Sequence, residues 1–155
     1  MEYLDARGRD GGARKYRVMM IDGEIYPLHL AISGNWKVHY FTSDMADRPD
    51  HRQEELAFIS DMRGVLGNKA MTGLAAIRDA LGLDYAGVDF GLGRNGDVLL
   101  FEANATMVIA TPDSDPRWAY RRNAIATAID AVVALIKARA IGAEKAAPAA
   151  DQMAG

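Results

Sequence analysis

The 155-residue chain contains no cysteine, which excludes disulfides and thiolate metal sites alike. It also lacks a basic surplus. Eighteen Lys and Arg against 21 Asp and Glu give a net charge of −3 and a pI near 5.6, so there is no general electrostatic footprint for nucleic acid, and no nucleic-acid partner is expected. No apolar run reaches membrane length. The most apolar stretch, 124–143, is interrupted by Asp130, Lys137 and Arg139, and no membrane partner is expected. The N-terminal MEYLDARGRDGG is polar and has no signal-peptide core. With neither cysteine nor a targeting segment, the default compartment is cytoplasmic. There is no internal repeat. GGARK is not a phosphate-binding Walker loop, because Lys15 is followed by Tyr16 and no apolar strand precedes the glycines.

What is present is an ordinary globular balance, half hydrophobic and a quarter charged. A domain of this size buries about 68–70% of the surface its unfolded chain exposes. One folded unit is expected over 1–142, with the Ala-rich, polar stretch 143–155 as a disordered tail. Residues 15–21 (KYRVMMI) and 24–32 (EIYPLHLAI) flank Asp22-Gly23, a strong hairpin signal. Pro27 cannot donate to a ladder, which places that strand at an edge or gives it a bulge. A further short strand is expected over 36–42 (WKVHYFT). A helix over 52–62 turns Leu56, Phe58 and Ile59 inward. Another over 68–81 carries Leu74, Ile77 and Leu81, with Gly82 as its C′ residue. A second hairpin joins 84–92 to 97–104 around Asn95-Gly96. A last helix over 116–141 has Ile125, Ile129, Val132, Val133 and Ile136 as its apolar stripe. The pattern predicts an α+β fold, a mostly antiparallel sheet with helices packed on one face.

The second hairpin carries the chemistry. A two-residue turn at Asn95-Gly96 sets Arg94 against Asp97, so cross-strand numbers sum to 191 and Asp89 faces Glu102. Asn104 then shares the face of Glu102, opposite Gly87. The other face collects Ala86, Val88, Phe90, Leu92, Leu99, Phe101 and Ala103 as a covered apolar surface. A three-residue loop would shift every pair by one. Facing carboxylates repel, and with an Asn carbonyl beside them they point to a cation between them. Hard oxygen ligands suit Mg²⁺ or Mn²⁺. Gly87 and Gly91 on that face leave room for a bulky ligand. The competing reading is a solvated strand face with two unrelated acids.

Asp89-Phe90, a short turn and Phe101-Glu102-Ala103-Asn104 resemble the signature of the ATP-grasp superfamily. That group includes glutathione synthetase, D-alanine–D-alanine ligase and the enzymes that add glutamate to ribosomal protein tails. The resemblance implies two Mg²⁺ ions against the ATP phosphates, with Asp89 on one, Glu102 bridging both and Asn104 on the second. Upstream, Lys15-Tyr16-Arg17 and the apolar strand ending in Asp22-Gly23 are similar to the family's segment whose arginine contacts ATP phosphate. Arg17 is thereby the implied catalytic, phosphate-binding residue. Glu2-Tyr3-Leu4-Asp5 resembles the interlobe hinge, which makes Glu2, Leu4 and Asp5 the implied contacts to adenine and ribose. The resemblance covers residues 2–136 but only the C-terminal half of the family's domain. The N-terminal half, with two phosphate lysines and a glycine-rich lid, is an expected partner, beside ATP and a carboxylate substrate.

There are departures from the family pattern. Many members of that family carry a second arginine just after the second strand, whereas this chain reads Leu30-Ala31, and Lys37 is the expected replacement. The Pro-Gly that often follows the Asn is absent. His29 and His39 could face a substrate carboxylate or simply pack. Arg121-Arg122 reads as a solvated face or as the substrate end of the pocket. Trp36 and Trp118 read as core or rim, and Met19, Met20 and Met71 as core filler. Two functions follow: the C-terminal lobe of an ATP-dependent carboxylate–amine or carboxylate–thiol ligase, inactive alone, or a non-catalytic binding module on the same half-fold. An apolar flank left by the missing half predicts self-association.

Overall fold

The computed structural model describes residues 8, 10–34 and 43–146. The expected strand over 36–42, the hinge residues Glu2, Leu4 and Asp5, and also Lys37 and His39, lie outside the described residues.

Strands β1 (Ala13–Ile21) and β2 (Glu24–Ser33) form the first hairpin. Asp22 and Gly23 both take positive φ, 49° and 82°, as a two-residue primed turn requires. The Pro27 expectation holds on both counts. β2 is an edge of the sheet, and the ladder jumps from Arg17–His29 to Val18–Pro27, leaving Leu28 as a bulge. Helices α1 (Pro49–Ser60) and α2 (Met62–Leu81) follow. Pro49 opens α1 at a position where its missing N–H costs nothing, three residues before the expected start. Gly67, at φ 75° and ψ 168°, kinks α2, so the regular helix restarts at the expected Asn68. Gly82 caps it in the left-handed region, its N–H bonded to the Arg78 carbonyl at 3.1 Å.

The second hairpin is β3 (Tyr85–Leu92) and β4 (Val98–Asn104). Its turn differs from the expected two-residue loop. Gly93 N–H bonds the Asp97 carbonyl and Gly96 N–H bonds the Gly93 carbonyl, with Gly96 at φ 77°, a three-residue loop closed by a left-handed glycine. Near the turn Leu92 therefore pairs with Val98 and Phe90 with Leu100. A bulge at Phe101 then restores the expected register, and Asp89 faces Glu102 and Gly87 faces Asn104. Two one-residue shifts cancel.

The consequence for the apolar face is local. Ala86, Val88 and Phe90 are buried as expected. Leu99 moves to the other side, because a one-residue shift swaps faces. Phe101 and Ala103 are exposed on what is an outer strand.

The sheet order is β2-β1-β3-β4, every pair antiparallel, and the α+β class stands. α1 and α2 cover one face, where Tyr16 packs edge-on to Phe58 and stacks on Phe90. A 3₁₀ helix (Pro116–Arg121) leads into α3 (Arg122–Ala146), where one helix was expected. α3 crosses the opposite face over Met19, Ile21 and Leu28 with Ile125, Ala128 and Leu135 buried. Ile129 and Val132 flank this stripe, whereas Val133 and Ile136 are exposed. α3 also runs past the expected end at Ile141. Gly142 costs a helix only about 1 kcal/mol, and the alanines around it are strong helix formers. Among the described residues no helix is long and apolar enough to cross a membrane.

Candidate functional site

Side chains alternate along a strand, so the odd-numbered residues of β1 share the face away from α1 and α2. The registers place His29, Arg17, Asp89 and Glu102 in one row across all four strands. Asn104 stands two residues along β4 from Glu102, and Lys15 two residues along β1 from Arg17. Arg17, Asp89, Glu102 and Asn104, singled out from sequence, are thus brought onto one face.

Asp89 is the buried centre of the row, 1% exposed. Arg17 donates to it twice, Nε to Oδ1 at 2.5 Å and Nη2 to Oδ2 at 2.8 Å, and Lys15 Nζ lies 2.9 Å from Oδ2. Burial pushes the Asp89 carboxyl up. The bonds and charges of Arg17 and Lys15 outweigh it, so the group sits below its ordinary range. The bond to Asp89 correspondingly raises Arg17. β1 thus supplies two cations to Asp89, so the facing of Asp89 and Glu102 does not by itself call for a metal.

Glu102 is exposed, and Asn104 Nδ2 donates to its Oε1 at 3.3 Å. Asn104 Oδ1 accepts from both the backbone N–H and the hydroxyl of Thr106, each at 2.7 Å. The donor set is all oxygen and suits a hard divalent cation. A carboxylate has about four acceptor positions; three of those on Asp89 hold Arg17 and Lys15, which leaves one on Oδ1. Glu102 has open positions, whereas Asn104 Oδ1 must release Thr106 to become a ligand. Among the described residues there is no cluster of three or more His, Asp or Glu side chains fit for a metal. A cation here would rest on two carboxylates and complete its shell with water or phosphate oxygens, as Mg²⁺ commonly does.

On the β1–β2 side of the row the face opens into a cavity of about 590 Å³ lined by Lys15, Arg17, His29 and Arg121. One wall is the chain after β4, pinned where a Cβ on Gly87 would stand 2.3 Å from Met107 Cβ. The room expected beside Gly87 for a ligand is taken by Met107, whose carbonyl also accepts from the Tyr85 hydroxyl. Beyond this pin Val108 and Pro112 reach the cavity, and Trp118 joins them from the 3₁₀ helix.

Arg121 is buried, its Nε 3.3 Å from Oε1 of the fully buried Glu55. Glu55 also accepts from Leu30 N–H at 3.3 Å and the Tyr120 hydroxyl at 2.5 Å. Of the two readings for Arg121-Arg122, the cavity takes Arg121. Arg122 instead reaches the Asp113 and Ser114 carbonyls on the surface. His29 is buried at the head of the row. Desolvation first, and then the charges of Arg17 and Arg121, hold it well below the ordinary histidine range, so it is neutral.

Sequence reasoning missed Lys15 as a partner of Asp89, although its two-residue spacing from Arg17 signals a shared face. It also missed Glu55, which looks like a surface acid of α1 until β2 and the 3₁₀ helix close over it. Comparison with family models, with curated proteins and with solved structures returns no match.

Proposed function

We propose that this chain is the C-terminal lobe of an ATP-dependent carboxylate–amine or carboxylate–thiol ligase, handling the phosphates of Mg-ATP during acyl-phosphate formation. The observation that carries the reading is the row itself: an arginine beside a buried Asp, beside a Glu, with an Asn two residues on. In this reaction a substrate carboxylate oxygen bonds to the γ-phosphorus and the bond to the β–γ bridging oxygen breaks, releasing ADP. The amine or thiol then bonds to the acyl carbon and loses its proton as phosphate departs. Such transfer asks chiefly for positioning and charge stabilisation. Arg17 spends Nε and one N–H of Nη2 on Asp89, so its orientation is fixed and Nη1, with the second N–H of Nη2, is left to donate to phosphate oxygens. A Mg²⁺ or Mn²⁺ ion bound by Asp89 and Glu102, with Asn104 after release of Thr106, would neutralise charge on the phosphate oxygens. The resemblance assigns the phosphate lysines and the lid to an N-terminal half, so the 155 residues alone should not turn ATP over.

One observation favours the second reading, a binding module without turnover: Asp89 is already held by two cations, Lys15 and Arg17, and Asn104 is engaged by Thr106. Binding of Mn²⁺ with ADP, followed by electron paramagnetic resonance, separates the two. The ligase reading expects a Mn²⁺–nucleotide complex that Glu102→Gln weakens. No complex, or one indifferent to Glu102→Gln, sinks it.

A further inference from the structure

We infer that the cavity beside Arg17 is a seat for a monocarboxylate with an apolar body. Its floor carries Lys15 and Arg17, and among the described residues these two share one carboxylate, Asp89. The third cation of the wall, Arg121, meets the buried Glu55. Among the described residues that line this floor and wall, one positive charge is thus in surplus, and one carboxylate cancels it. Glu102, the next acid of the row, acts on Arg17 only through space and does not line the cavity. Asp113 does, but it is exposed at the rim, where water screens it, and it accepts from the Ser114 hydroxyl and the Asp115 N–H.

The remainder of the wall is mostly apolar, with His29, Ser43 and Thr111 as its uncharged polar side chains. Leu28 and Met45 are buried below, Trp118 stands at the side, and Val108 and Pro112 form the mouth. A volume of about 590 Å³ falls within the range of about 300–1,000 Å³ usual for small-molecule sites. A dicarboxylate would bring a second negative charge that meets no further surplus cation in the lining, a costly burial. Inorganic phosphate would satisfy the cations and leave the apolar wall uncovered. In the ligase reading this ligand is the acyl donor, its carboxylate next to the Arg17 that also meets phosphate. That role rests on the ligase reading; the binding does not.

The test is a titration of the 155-residue chain with hexanoate, hexanedioate, hexanamide and inorganic phosphate, read through the Trp118 indole resonance. Nucleotide and divalent metal are absent, so failure here and failure of the Mn²⁺–ADP experiment are independent. Hexanoate is expected to bind, and the other three about tenfold more weakly or worse, the loss of one charged contact. Lys15→Gln removes the surplus charge, and Val108→Glu adds a negative charge at the mouth; each should weaken hexanoate by about tenfold. Val108 is 71% exposed, so its replacement keeps the test open even if Lys15→Gln disturbs the fold. Absence of hexanoate binding, equal binding by hexanamide, hexanedioate or phosphate, or unchanged affinity in Val108→Glu would overturn the assignment.

Discussion

Arg17 and Asp89 stand directly opposite each other on β1 and β3, and two charge-assisted hydrogen bonds join them. This makes Arg17 a residue of the fold as well as of the candidate site. In Arg17→Met, Asp89 stays buried with Lys15 as its remaining cation, and stability should fall by about 1.5–3 kcal/mol, the range for a hydrogen bond to a charged group. Arg17→Met/Asp89→Asn should lose less than the sum of the single changes, because the two residues act as one unit. Urea denaturation of the three variants measures the coupling. Additive losses would show that the pair is not coupled.

His29 makes stability depend on pH. Its folded pKa lies well below the ordinary 6.5, so below about pH 6.5 the unfolded chain binds a proton that the folded chain does not. Stability therefore falls as pH drops from about 6.5 toward the folded value, by at most about 1.4 kcal/mol per pH unit from this group. His29→Gln should flatten that slope between pH 7 and 5. Parallel slopes in the parent and the variant, from denaturant melts, would remove His29 from the account.

Gly87 is the tightest steric position in the site. An added Cβ meets Met107 Cβ at 2.3 Å, and Cβ is not a flexible side-chain end that can swing aside. Gly87→Ala should cost about 1–3 kcal/mol, as overpacking does, and should shift the resonances of Val108 and Trp118 in the cavity wall. A melt within error of the parent would mean that the post-β4 segment is held elsewhere.

β4 is an outer strand, and Leu100 and Phe101 on it are each about half exposed. Unpaired strand edges with apolar side chains promote pairing between copies. Sedimentation should show concentration-dependent association that Phe101→Lys reduces. A parent that stays monomeric at high concentration counts against an adhesive edge.

What could be read from the residues tracks the range over which each interaction acts. Asp22-Gly23, Pro27 and Gly82 behave as expected because each encodes its own backbone geometry. The Asp89–Glu102 pairing was legible although the turn was not: the bulge at Phe101 undoes the extra loop residue. The placement of β1 beside β3 spans two helices and leaves no mark in the local pattern, so the spacing of Lys15 and Arg17 shows that they share a face but not that Asp89 lies opposite them. The cavity wall depends on Gly87 accepting Met107, and in sequence Gly87 is only one glycine in an apolar strand.

The row across the sheet has a direction. It runs from neutral His29 through cationic Arg17, flanked by Lys15, to the acids Asp89 and Glu102 at the outer strand. Partial cancellation of Arg17 and Asp89 leaves a dipole across the strands, positive toward β2 and negative toward β4. Alternating strand dipoles of the backbone do not oppose it, since they nearly cancel in a sheet. A ligand with one anionic and one cationic end is therefore favoured along this axis in one sense over the other, before any single contact is made.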